Sequence, residues 1–393
     1  MDSSASPAII GWSHEPFTRA DPRSVERMII DAAAAAIAHA GVEPAEIDEI
    51  WLGHFNSGFV RQDFSASLAL GVSPDLRFRR ATRVENACAT GSAAVHAALR
   101  GIRVGDARVA LVVGVEKMSE VPPKEVGEIL LHACYVAEES GIEAGFAGVF
   151  GKIAAAYFER HGDQSDALAA IAAKNHANGC DNPYAQMRRD IGYAFCREPS
   201  EKNPFVAGPL KRTDCSLVSD GAAALVLASA DRARSAPRAV GFRAAVQVND
   251  VMPMSRRDIL AFEGPRETWA RGLAAAGAAL SDLSFAEVHD CFTMAELMIY
   301  EAMGLAEPGQ GARAIAEGTV LKDGRLPVNR SGGLKAKGHP IGATGVSMHA
   351  LAAMQLTGSA GDLQIPGATL GATFNMGGAA VANYLSVLEP RHT

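Results

Sequence analysis

The run Val109-Ala110-Leu111-Val112-Val113-Gly114-Val115 constrains this chain's fold more than any other segment. None of these residues carries a charge or a hydroxyl, so a strand built from them has no face for water. Such strands are covered on both sides, as in α/β proteins, whereas half-exposed antiparallel sheets alternate apolar and polar residues. The flanks fit. Residues 92–103 (SAAVHAALRGIR) predict a helix, and Gly105-Asp106-Ala107 turns the chain into the strand. Upstream, Ser24 to His39 is an Ala-rich helix with Val25, Met28, Ile29 and Ile37 apolar. Gly41 ends it, Pro44 follows, and Ile47 to Gly53 reads as a strand. Helices alternating with buried strands predict an α/β fold with βαβ units.

Residues 119–211 break this rhythm. They hold Pro122-Pro123, helical pieces at Gly151 to Arg160 and Asp166 to Asn178, and polar stretches with Pro183, Pro199, Pro204 and Pro209. This predicts an excursion from the sheet. Regular patterning resumes at Ser219-Asp220-Gly221 and the strand-like Ala224 to Leu227. The second half then echoes the first. Ala40-Gly41 and Ala276-Gly277 each precede a turn and a strand, the second being Phe285 to Val288. Ala89-Thr90-Gly91 leads a helix with His96, and Ala343-Thr344-Gly345 leads one with His349. Two echoes in the same order suggest a duplicated unit.

Composition excludes several functions. A net charge of −7 provides no basic field for nucleic acid, and no apolar stretch is long enough for a membrane span. The segment MDSSASPAIIGW lacks the basic and apolar regions of a secretory leader. The six cysteines include no CxxC pair, so neither a disulfide framework nor structural zinc is expected, and the cytoplasm is the expected compartment.

Four windows could carry chemistry. Cys88 stands at a predicted helix start among Ala87, Ala89 and Gly91, where unpaired N–H groups favour a thiolate. Gly332 to Gly345 is a Gly-rich loop without either nucleotide-binding spacing, and it places His339 between Gly338 and Pro340 on exposed backbone. His289-Asp290-Cys291-Phe292 follows a strand end, where α/β sheets bind ligands, and Asp290 reads equally well as a helix cap. Asn375-Met376-Gly377-Gly378 lets backbone N–H groups approach a ligand as an oxyanion hole, with a β-bulge as the plain alternative.

Together these windows resemble the thiolase family over essentially the whole chain. Asn86 to Gly91 looks like the nucleophile motif, and Gly114 to Ser119 like the end of the first sheet. Ser219 to Ala223 looks like the return from an inserted loop, and Gly338-His339-Pro340-Ile341-Gly342-Ala343-Thr344-Gly345 matches the family's GHPxGATG. Two departures, His289-Asp290-Cys291-Phe292 for Asn-Glu-Ala-Phe and Asn375-Met376-Gly377 for Cys-x-Gly, are typical of the sterol-carrier-protein type.

The resemblance implies two βαβαβαββ halves in α-β-α-β-α layers: 1–118 with 212–236, an inserted loop domain at 119–211, and 237–393. It implies Cys88 as nucleophile, His339 as the group that activates it, His289 beside it at the enolate, Cys291 as acid/base, and N–H groups of Cys88 and Gly377 as oxyanion donors. Ser216 would lie near pantetheine. Arg188, Arg189, Lys202, Lys211 and Arg212 are candidates for the CoA phosphates, and Met118 and His132 for packing near the pocket. For His96 and His349, inside helices, a core or surface place is expected. CoA and acyl-CoA would be substrates, with no permanent cofactor and no metal, and the assembly a homodimer or homotetramer. Two alternatives stand beside acyl transfer: an aldolase on CoA-linked side chains with an OB-fold partner, and a non-catalytic acyl-CoA-binding scaffold.

Overall fold

The computed structural model describes residues 6–391, so Met1–Ala5 of the leader segment and the final two residues of the last predicted unit lie outside the described residues. The first half runs β1 (Ala8–His14), α1 (Val25–Ala40), β2 (Glu49–Gly53), β3 (Arg80–Val84), α2 (Thr90–Arg103) and β4 (Val109–Lys117). Two long helices follow, α3 (Phe146–His161) and α4 (Ser165–Cys180), then a small hairpin and β5 (Asp220–Ala228). The second half runs β6 (Ala239–Asn249), α5 (Glu263–Ala276), β7 (Phe285–Val288), α6 (Thr293–Ala302), α7 (Ile341–Leu356), β8 (Gly371–Gly377) and β9 (Ala382–Arg391).

Local chemistry accounts for the elements. Ser24 accepts from the Arg27 N–H at the start of α1, a cap worth about 1 kcal/mol. Gly41 ends that helix in the left-handed region at φ 63°. Every residue of β4 and β5 is buried, as the apolar run of β4 predicts.

The strands order as β3-β2-β4-β5-β1-β6-β9-β8-β7. From the centre outwards both halves repeat one pattern. β1 and β5 are antiparallel, β5 and β4 antiparallel, β4 and β2 parallel. β6 and β9 are antiparallel, β9 and β8 antiparallel, β8 and β7 parallel. Beyond β7 a parallel bridge between Ala286 and Val328 stands where β3 stands in the first half. The two halves join through the pairs Ala8–Gly241 and Ile9–Val240. Helix α1 covers one side, α5 the other, and α2 and α7 pack together with α7 touching strands of both halves. The layers are therefore α-β-α-β-α, and the duplication suggested by the echoes is present in the topology.

The echoed Ala-Thr-Gly motifs sit where α2 and α7 meet. A Cβ on Gly345 would lie 2.1 Å from the Ser92 nitrogen, and one on Gly91 would lie 2.7 Å from the Gly345 nitrogen. Glycine is required there by the close approach of two backbones. His96 and His349 reach one hydroxyl, Ser386 Oγ, at 3.0 and 2.9 Å, and both are buried.

Among the described residues no helix is long and apolar enough to cross a membrane. β3, β6, β9 and α5 had no clear sequence signal. β6 mixes Gly241, Arg243 and Gln247 into its run, and α5 carries Pro265, Gly264 and Gly272. Tertiary packing outweighs local propensity in both.

Candidate active site

The site forms where the amino end of α2, the carboxyl ends of β7 and β8, and the loop before α7 converge. Ala87 is held at φ 49°, a left-handed conformation that a non-glycine residue adopts only when its surroundings enforce it. The enforcement is local. Thr90 Oγ1 accepts from the Asn86 N–H at 2.8 Å and donates to the Ala87 carbonyl at 2.6 Å, while Asn86 Nδ2 donates to the Tyr384 hydroxyl at 2.8 Å. This tight turn presents the Cys88 side chain just ahead of α2.

Cys88, His289 and His339 bring their reactive atoms within 4.8 Å of one another, and all three are buried. The rings of His289 and His339 meet edge to face with centroids 5.1 Å apart. Sulfur and two imidazole nitrogens are donor types that also suit a soft divalent ion.

Hydrogen bonding assigns the two imidazoles opposite tautomers. Thr344 Oγ1 donates to the Pro340 carbonyl at 3.0 Å, so at 2.7 Å from His339 Nδ1 it acts as acceptor. The proton of His339 is therefore on Nδ1. Its Nε2 keeps a bare lone pair, buried and without a protein partner. Asn375 works in the other sense. Its Oδ1 accepts from Ser92 Oγ at 2.9 Å, which turns Nδ2 towards the Cys88 carbonyl and His289 Nδ1, both at 3.0 Å. His289 Nδ1 accepts, so the ring proton is on Nε2.

Electrostatics correct one sequence expectation. The amino end of α2 does not make Cys88 a resting thiolate. Burial, then the neighbouring Cys134 thiol, push the Cys88 pKa up to about 12, and the Gly378 N–H offsets only part of this. His339 is pushed down to about 3 by burial and then by Lys337. His289 lies well below its ordinary value through burial, His339 and Lys337. The resting pair is a neutral thiol beside a neutral base. Cys291 is buried next to this group, and burial, followed by Cys88 and Asp290, pushes its thiol well up.

Other predicted residues fall as follows. Gly377 abuts the Cys88 turn: a Cβ there would lie 2.4 Å from the Asn86 carbonyl oxygen. Ser216 is half-buried and donates its N–H to the Cys291 carbonyl at 2.9 Å. The His339 loop is buried, not exposed as expected, and Ser219 Oγ accepts the His339 N–H at 3.0 Å. Asp290 caps the short helix Gly333–Ala336, accepting from Leu334 N at 2.6 Å, and not the helix that follows it in sequence. Burial followed by Glu296 raises Asp290 to about 7. Lys211 is buried against Asp214 at 3.1 Å and is closed to a phosphate, whereas Arg188, Arg189, Lys202 and Arg212 are exposed. Met118 is buried, and His132 is exposed beside Ser57.

Three contributors had no sequence signal of their own. Asn375 stands in sequence as the polar residue ahead of Gly377-Gly378 and in the place of a cysteine, with no sign that its side chain braces the site. Glu116, fully buried, accepts N–H groups of Phe55, Asn56 and Gly342 at 3.0–3.1 Å and so ties the His339 loop to β4. Lys337, also fully buried, donates to Ser347 Oγ at 2.8 Å and faces the Phe17 ring at 5.7 Å.

Comparison with known proteins places this geometry. The "Thiolase, N-terminal domain" family model matches residues 9–231, and the "Thiolase C-terminal domain-like" model matches 245–390. An acetyl-CoA acetyltransferase of Methanothermobacter thermautotrophicus is 34% identical over 94% of this chain and 96% of its own. Sterol carrier protein 2 of Oryctolagus cuniculus is 31% identical over 92% of this chain and 68% of its own. A solved structure described as "Ltp2-ChsH2(DUF35) aldolase" superposes with a TM-score of 0.82 at 23% identity, covering 99% of both chains. With both family models matched in order across the duplicated fold, this chain belongs to the thiolase family.

Proposed function

We propose that the chain transfers acyl groups between Cys88 and coenzyme A, by thiolysis of a 3-ketoacyl-CoA or by the reverse Claisen condensation. Two observations support this most: a ring nitrogen of His339 lies within 4.8 Å of the Cys88 sulfur, and His339 Nε2 is buried without a protein partner. A thiol with a pKa of about 12 reacts only if its proton leaves as the new bond forms, and a neutral imidazole is the group to take it.

In the cleavage direction, Cys88 Sγ bonds to the 3-keto carbon as His339 Nε2 takes the thiol proton. The Cys88 N–H and the Gly377–Gly378 turn stabilise the oxyanion. The bond between C2 and C3 then breaks. Its electron pair goes to C2 as an enolate, whose oxygen meets the Nε2–H of His289 and the newly protonated His339. Cys291 protonates C2 and acetyl-CoA departs. The thiol of free CoA then attacks the acyl-cysteine carbonyl as its proton passes to the Cys291 thiolate; the C–S bond to Cys88 breaks, acyl-CoA leaves, and Cys88 takes back the proton held on His339. Exposed Arg188, Arg189, Lys202 and Arg212 are the candidates for the CoA phosphates, and Ser216 for the pantetheine.

The test is thiolysis of acetoacetyl-CoA and longer 3-ketoacyl-CoA esters by the purified single chain. Turnover that disappears in Cys88→Ala supports acyl transfer. Turnover that survives in Cys88→Ala overturns it. No thiolysis, with aldol cleavage appearing on addition of an OB-fold partner, favours the aldolase. Binding of acyl-CoA without turnover of either kind favours the scaffold. A homodimer or homotetramer is part of the same proposal.

A further inference from the structure

The Gly377–Ala380 turn, which packs against the Asn86–Ala89 backbone around Cys88, is clamped from behind by an arginine far away in sequence. The Arg257 side chain is 6% exposed. Its Nη2 donates to the Ala379 carbonyl at 2.6 Å and its Nη1 to the Ala380 carbonyl at 3.5 Å. Between them these carbonyls belong to the strained part of the turn. Gly378 is at φ 62° and Ala380 at φ 61°, the latter a left-handed conformation at a residue with a Cβ. Asn383 Nδ2 also donates to the Ala380 carbonyl, at 3.0 Å.

Arg257 is held there at a cost. Its nearest carboxylate, Asp250, lies 3.6 Å away and already accepts from the Val251 N–H at 2.7 Å. Its Nε is buried without a partner. A guanidinium whose side chain is 6% exposed, whose nearest counter-ion stands off at 3.6 Å and whose Nε is unmet is expensive, and such a group calls for a compensating role. The geometry offers one. With the outward carbonyls of the turn fixed by a planar fork, rotation of its peptide planes is blocked, and Gly377 keeps its place against the backbone on either side of Cys88.

We propose that Arg257 is a positioning residue for the oxyanion side of the site, acting through the Gly377–Ala380 turn without touching substrate. For acyl transfer this rests on the function proposed above. Its effect on Cys88 does not, because Gly377 packs against Asn86 and Ala89 whatever the reaction.

The experiment compares the full-length chain with Arg257→Ala, Arg257→Lys and, as a control on the same segment, the exposed Arg256→Ala. Two rates are read: alkylation of Cys88 by iodoacetamide, followed by peptide mass, and thiolysis of acetoacetyl-CoA. Misaiming an oxyanion donor costs roughly tenfold or more in rate. Arg257→Ala should therefore lower kcat at least tenfold, with KM within about threefold, and slow Cys88 alkylation. Added guanidinium should recover part of both rates. Arg257→Lys, which keeps charge but loses the fork, should fall between, and Arg256→Ala should match the parent. Unchanged or faster alkylation in both Arg257 variants overturns the proposal, as does a change confined to KM. If Arg257→Ala does not fold, the lysine variant carries the same two readouts. A parent chain inert towards acyl-CoA refutes the acyl-transfer reading alone, and alkylation then decides Arg257.

Discussion

The amide nitrogen of Asn375 lies 3.0 Å from Nδ1 of His289 and donates to it. One side chain thereby fixes which nitrogen of the imidazole carries the proton. The same amide nitrogen holds the Cys88 carbonyl, so Cys88 and the imidazole are braced through a single residue. Asn375 stands where most thiolases carry a cysteine, and its role follows from what it touches.

Replacing Asn375 with Asp reverses that bond. A carboxylate can only accept, so the proton of His289 moves to Nδ1 and Nε2 loses its hydrogen. We expect kcat to fall roughly 100-fold, on the scale of losing one oxyanion donor. Asn375→Ala should lose activity and also about 1–3 kcal/mol of stability, because Ser92 and the Cys88 carbonyl lose a buried partner. Steady-state rates and urea unfolding check both; an Asp variant with parental kcat would refute the tautomer assignment.

Removal of the base should act on chemistry more than on binding. His339→Gln should lower kcat by about 10²–10⁴-fold with KM nearly unchanged, because Nε2 of His339 makes no bond in the resting structure. An unchanged kcat would assign the proton transfer to another group.

The thiol and imidazole values set a pH profile. Cys88 at about 12 and His339 at about 3 hold the resting pair neutral across the physiological range. Alkylation of Cys88 should therefore climb steadily from pH 6 to 9 without the low-pH plateau of a thiolate–imidazolium pair. A plateau below neutrality would contradict the buried neutral pair.

Acid should unfold this chain early. Burial is the leading cause that depresses His14, His176 and His339 to about 3 and His349 to about 4. In the unfolded chain each returns to about 6.5. Below that value the unfolded state binds the extra proton, so stability is complete above pH 6.5. It is lost as pH falls towards the folded value, at about 1.4 kcal/mol per pH unit for each histidine. Urea midpoints at pH 7 and pH 5 test this, and equal midpoints would refute it.

The helix crossing at the centre of the duplication is equally testable. Gly345→Ala puts a Cβ 2.1 Å from the Ser92 nitrogen, so α2 and α7 must separate. A loss of about 1–3 kcal/mol is expected from overpacking, together with lower activity, since both helices carry site residues. Parental stability would mean the crossing relaxes freely.

The parts of the molecule that were legible in its sequence share one property: they depend on local pattern. The apolar run of β4, the cap and stop of α1 and the Gly-rich His339 loop each declare themselves within a dozen residues. The echo of Ala-Thr-Gly was also visible, though its meaning is not local, because only the fold shows Gly91 against Gly345. What stayed hidden arises between distant segments. Cys88 reads as a thiolate candidate from its place ahead of a helix, yet burial in the folded chain outweighs the helix end. Asp290 caps a helix more than forty residues away. Arg257 is an ordinary basic residue in sequence and becomes a clamp only once β8 and its turn lie over it.

The most direct test of the central claim is peptide mass spectrometry after brief exposure of the full-length chain to acetyl-CoA. The account predicts one acetyl group, on Cys88, discharged by added CoA and absent from Cys88→Ala. An acetyl adduct on another residue, or one that persists in Cys88→Ala, would contradict it.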